Sequence, residues 1–81
     1  MRLDKYLKVS RLIKRRTVAN EACDAGKVTV NDKIARASYE VKEGDIIRIA
    51  MGAKTLAAQV LSVNEYAKKE NAPQMYRILE E

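Results

Sequence analysis

Apolar positions near the start of the chain recur three and four residues apart. Leu3, Tyr6, Leu7 and Leu12 fall on one stripe, which predicts a helix over about residues 2–12. Arg2, Lys5, Lys8 and Arg11 follow a strict spacing of three, so a basic strip runs beside the apolar one. The pattern breaks near residues 13–16. A second helix is expected from residue 16 or 17 to residue 25, with Thr17 as N-cap. Val18, Ala22 and Ala25 share one of its faces, flanked by Ala19 and Cys23, and Gly26 supplies the left-handed stop.

Beyond Gly26 the period changes from helical to alternating. KVTVN sets Val28 and Val30 on one side and Thr29 on the other. Asn31 and Asp32 mark a turn, and Ile34 begins a short partner strand. KEGD, residues 42–45, is a second turn, followed by IIRIA with Ile47 and Ile49 inward and Arg48 outward. KTLAAQVLSV, residues 54–63, reads as a strand with Leu56, Ala58 and Val60 on one side. Residues 64–74 are polar, contain Pro73 and read as a loop. MYRILEE then forms a last strand with Tyr76 and Ile78 on one face. The expected fold class is α+β: two N-terminal helices packed on a small, mostly antiparallel sheet of four to five strands.

Length changes this picture little. The 81 residues suit one domain over residues 1–81, which hides only roughly 60–65% of its unfolded surface and has no room for a deep substrate cavity. No apolar run approaches the ~20 residues needed to cross a bilayer, and MRLDKYLKVS lacks the apolar stretch of a secretory signal. A cytoplasmic protein without membrane partners is expected. Cys23, the only cysteine, fits a small buried side chain.

Charge changes the picture more. Residues 1–16 hold seven cations (Arg2, Lys5, Lys8, Arg11, Lys14, Arg15, Arg16) and one anion, Asp4, a balance of +6. The remaining residues balance at −1 within a net charge of +5. Excess charge concentrated in one segment points to a polyanion-binding surface. The position of Lys14, Arg15 and Arg16 sharpens this. A helix amino terminus repels cations, yet its first N–H groups point outward toward any anion, and arginine grips phosphate with a planar fork. The three cations therefore anticipate nucleic-acid backbone. Lys27, Asn31 and Lys33, near the hairpin, widen the candidate surface. Asp4, in the first turn, reads as structural.

Other chemistries are excluded or weak. Without histidine there is no Ser-His-Asp, Cys-His or His-metal arrangement, and one cysteine makes no thiolate zinc site. Gly26, Gly44 and Gly52 stand singly, so no glycine-rich phosphate loop exists. Glu40, Glu43 and Asp45 read as a solvated turn. No cofactor or metal is expected. The second helix would expose Asn20, Glu21 and Asp24. Two of these are acidic, which disfavours insertion into a DNA groove and favours backbone recognition on folded RNA.

RLDKYL, KRRTVANEACDAGKVTVN and EVKEGDIIRI, taken together, resemble the ribosomal-protein-S4-type RNA-binding domain, with matching spacing over residues 1–49. The resemblance implies a core motif over about residues 1–49, with C-terminal strands over about 54–81. By its length and its ending the chain is similar to small stand-alone members of ribosome-associated quality control. These bind the large ribosomal subunit carrying peptidyl-tRNA, contact its rRNA and the tRNA, and work beside a tRNA-recruiting factor that extends stalled chains with alanine. The resemblance implies a non-catalytic factor, with Arg2, Lys5, Lys8, Arg11, Lys14, Arg15 and Arg16 as RNA contacts, Arg15 and Arg16 foremost; a monomer is expected because no exposed apolar seam suggests a dimer. Two alternatives stand beside it: heat-shock-type recycling of blocked large subunits, and an RNA-binding accessory to an RNA-modifying enzyme.

Overall fold

The amino-terminal stripe folds as helix α1, Leu3–Val9, in a computed structural model that describes residues 1–79. Leu3, Tyr6 and Leu7 are fully buried, as their spacing predicts. The helix is shorter than expected because Arg11 takes a left-handed conformation, φ +67°, after Ser10 has capped the last turn. The Ile13 amide then turns back to the Leu7 carbonyl (3.0 Å), so Leu12 lies beyond the helix and only half-buried. The free amides at the start of α1 are satisfied within the protein. Leu3 and Asp4 donate to the carbonyls of Tyr39 (2.8 Å) and Ala37 (3.2 Å).

Helix α2, Arg16–Asp24, differs from expectation in cap and in phase. Its N-cap is Arg15, extended and without a side-chain cap bond, so Thr17 lies inside the first turn. Ala19 and Cys23 are its buried residues, whereas Val18 is 48% exposed and Ala25 is exposed. The methyl of Ala19 allows α2 to approach α1 closely, and that approach sets the phase. The carboxyl end matches expectation. The Gly26 amide donates to the Cys23 carbonyl and the Lys27 amide to that of Ala22, both at 3.0 Å, with Gly26 at φ +77°. This is the Schellman closure that glycine permits.

Five strands follow: β1 Val28–Val30, β2 Lys33–Ile34, β3 Ile46–Met51, β4 Lys54–Val60 and β5 Tyr76–Leu79. They form one sheet in the order β2-β1-β3-β4-β5 with every pairing antiparallel. Asn31 and Asp32 both have positive φ (+53° and +69°), the backbone of a type I′ turn, so this pair makes the tight hairpin without glycine. Ile47 and Ile49 face inward with Val28 and Val30 beside them, and Ala58, Leu56, Tyr76 and Ile78 share that side by register. The helices do not cover the far end of this face, which leaves Leu56 half-buried and Ile78 47% exposed. Glu80 and Glu81, the end of the expected last strand, lie outside the described residues.

Two parts of the chain are more tightly held than their polarity suggests. Asp45 is not a solvated turn residue. It is 8% exposed, and its carboxylate accepts from the Asn31 side-chain amide (3.1 Å), the Lys42 amide (2.9 Å) and the Tyr39 hydroxyl (3.4 Å). The loop after β4 ends in a short 3₁₀ turn, Ala72–Gln74, that buries Ala72 and Met75. The buried Tyr6 hydroxyl donates to the Met75 carbonyl (2.8 Å) and so ties α1 to this segment. Burial, aided by Tyr76, raises the pKa of that hydroxyl far above the usual phenol value. Tyr6→Phe leaves the Met75 carbonyl without this donor. It is expected to reduce stability by about 1–2 kcal/mol, read as a lower urea midpoint with unchanged slope.

Candidate nucleic-acid interface

Asp4 organises the basic surface. It projects from the first turn of α1 toward α2 and is only 2% exposed. Its carboxylate accepts hydrogen bonds from the Lys5 amide (2.8 Å), the Asn20 side-chain amide (3.2 Å) and Arg2 Nε (3.2 Å), and it pairs with Arg16 Nε at 3.5 Å. Burial works to raise the carboxyl pKa. The bonds from Asn20, Lys5 and Arg2, with the charge of Arg16, outweigh it and hold the group below its ordinary value. Asn20, expected to be exposed, is thus turned inward as the second link between the helices.

Arg2 and Arg16 straddle this one carboxylate, yet their side chains remain 51% and 47% exposed. Arg16 meets Asp4 through Nε, so its terminal nitrogens stay available to another anion. Lys5 pairs with Glu65 at 3.3 Å. Lys8, Arg11, Lys14 and Arg15 are exposed and have no carboxylate partner among the described residues. The amides of Arg16, Thr17 and Val18 likewise have no acceptor among the described residues, in contrast to the satisfied start of α1. Lys14, Arg15 and Arg16 lead the backbone into the mouth of α2, where the amides are open and an anionic ligand would be favoured.

The hairpin candidates divide. Lys27 lies across a groove from Lys14, between the helix junction and the β3–β4 hairpin. Asn31 and Lys33 sit instead on the β1–β2 turn beside Tyr39. The Asn31 side chain is engaged inside the protein, donating to Asp45 and accepting from the Ile46 amide (2.9 Å). Lys33 is exposed on the two-residue strand β2.

The Cys23 thiol is not poised as a nucleophile. Burial, aided by the charges of Asp4 and Asp24, pushes the Cys23 thiol up to about 11, so it is protonated at neutral pH. Among the described residues no cluster of acidic or thiol side chains is suited to hold a metal ion, and no helix is long and apolar enough to cross a membrane. Reading the sequence missed the roles of Asp4 and Asn20 as organisers. Sixteen residues separate the two, and only the docking of the helices joins them.

Comparison with known proteins is consistent across sequence and structure. The family model described as S4 domain matches residues 1–47. The RQC P-site tRNA stabilizing factor of Listeria innocua is 53% identical over 81 residues, covering all of this chain and 88% of that protein. The factor of the same name from Bacillus subtilis is 51% identical over 81 residues, covering all of this chain and 94% of that protein. Among solved structures, heat shock protein 15 of Vibrio cholerae, described as trimeric, superimposes with a TM-score of 0.89 at 29% identity. That match covers 98% of this chain and 81% of the other.

Proposed function

Because the chain belongs to the S4 domain family, and within it to the RQC P-site tRNA stabilizing factors, we propose that it holds peptidyl-tRNA in the P site of the large ribosomal subunit. It does so as a non-catalytic, cytoplasmic factor of ribosome-associated quality control, beside a tRNA-recruiting partner that extends the stalled chain with alanine. One observation carries this reading: the unpartnered amides of α2 begin where Lys14, Arg15 and Arg16 follow one another along the chain, with Asp4 pairing with Arg16. That surface fits a curved, phosphate-lined RNA junction better than a single groove. Arg2, Lys8, Arg11, Lys14, Arg15 and Arg16 are the proposed phosphate contacts, with Lys27 at their edge.

The mechanism is selection among arrangements. A rigid surface that touches rRNA and tRNA together binds the arrangement with tRNA in place more tightly than the others and raises its population. No bond is made or broken, consistent with the absence of histidine and the inert thiol. Identity of 51–53% to the tRNA-stabilizing factors, against 29% to heat shock protein 15, favours this role over recycling. The chain acts as a monomer in this reading.

Sedimentation of cell extract tests it. The protein is expected with free large subunits that carry peptidyl-tRNA, and puromycin, whose amine takes the peptidyl group and leaves a deacylated tRNA free to dissociate, should release most of it. Equal binding to empty large subunits would remove the tRNA-stabilizing role. Co-migration with an RNA-modifying enzyme would favour the accessory role.

A further inference from the structure

Tyr66 is the most exposed large apolar side chain among the described residues, at 86%. Its loop is nonetheless fixed. The Tyr66 amide donates to Asn64 Oδ1 (3.0 Å), and Val63 and Ala67 on either side pack against the core. The flanking residues thus anchor the turn while the ring stands in solvent. Lys5 of α1 lies over the ring, its Nζ 5.8 Å from the centroid, close enough for a cation–π contact that orients the ring. The Tyr66 ring therefore borders α1 at Lys5.

The charge at this flank differs from the rest of the surface. Glu65 neutralises Lys5 at 3.3 Å, so a phosphate gains little by approaching that pair. What the flank offers is an aromatic plane. Exposed Lys68 and Lys69 follow in the same loop, with no carboxylate partner among the described residues. An aromatic face bordered by cations suits an unpaired nucleobase, whose ring stacks on the side chain while its phosphates reach the lysines.

We propose that Tyr66 is a stacking platform for an unpaired RNA base, extending the basic surface of α1 onto the loop of residues 64–69. The proposal rests on the RNA-binding reading above and adds a contact to bases where that reading supplies only contacts to backbone. A blunt RNA duplex binds through phosphates alone. A hairpin with the same stem, closed by an unpaired loop, offers bases as well.

The experiment compares the full chain, Tyr66→Ala and Tyr66→Phe on these two RNAs across a salt series. Tyr66→Ala is expected to weaken hairpin binding by about tenfold. Duplex affinity and the salt slope should stay as in wild type, since no cation is removed. Tyr66→Phe keeps the ring and should bind the hairpin as wild type does. An unchanged hairpin affinity in Tyr66→Ala, or an equal loss on both RNAs, overturns the stacking role while leaving the basic surface intact. A wild-type chain that binds neither RNA overturns the parent reading and this one with it. The substituted side chain is almost wholly exposed, so the variants should fold, and circular dichroism verifies that they do.

Discussion

Replacing Asp4 with alanine is expected to lower the unfolding free energy by about 3 kcal/mol, and Asp4→Asn by about half as much, measured by chemical denaturation at neutral pH. The side chain is buried and accepts from the Lys5 amide, Asn20 and Arg2. Removing it leaves those donors without an acceptor and two arginines facing each other. Asparagine keeps an oxygen for one donor but loses the charge. The pH dependence has a definite sign. The folded pKa lies below the ordinary 3.8, so the carboxylate's contribution is complete above that value and is lost as pH falls through the folded pKa. Wild type and Asp4→Asn should therefore converge in stability on acidification below about pH 4. RNA affinity provides a second check. Asp4→Asn removes a negative charge from a basic surface, which by charge alone would tighten binding. If Asp4 acts by holding Arg16, binding weakens instead.

Arg15→Ala combined with Arg16→Ala is expected to have the largest effect on binding with little effect on folding. Losing two charge-assisted phosphate contacts should weaken RNA binding by about 2–3 kcal/mol, a factor of roughly 30 to 150. The slope of log K against log salt should become shallower by about 1.5. Stability should change by less than about 1 kcal/mol. Both side chains are exposed, and removing cations from the mouth of α2 relieves their repulsion with the helix dipole, which offsets the lost pair with Asp4. An RNA affinity equal to that of wild type would move the interface away from the helix junction. A large loss of stability would show that the arginines serve the fold, and the proposed function would lose its main support.

The reasons for these effects differ in how far they can be read from the chain. Leu3, Tyr6 and Leu7 announce their burial by spacing, because a helix of fixed pitch has one stripe to hide. Val28, Val30, Ile47 and Ile49 do so by alternation. The concentration of cations before α2 is visible without any structure. The phase of α2 was less legible, since Val18, Ala19, Ala22 and Cys23 are all small or apolar and spacing alone does not rank them. Contact with α1 chose Ala19 and Cys23. Asp45 looked like any acidic turn residue, and its burial is matched by hydrogen bonds from Asn31, Tyr39 and Lys42, of which Asn31 comes from a distant turn. Tyr66 carried a faint signal as a lone aromatic in a polar segment, but its neighbour Lys5 is sixty-one residues away in sequence.

By itself, the order of residues determined two helices, an antiparallel sheet and an unbalanced positive charge at one end of the chain. These follow from local periodicity and composition, which act over a few residues. Tertiary packing decided which cations share a carboxylate, which stand free, and which amides of α2 remain open. Those outcomes depend on distances between segments far apart along the chain, and electrostatic and hydrogen-bond energies are set by such distances alone.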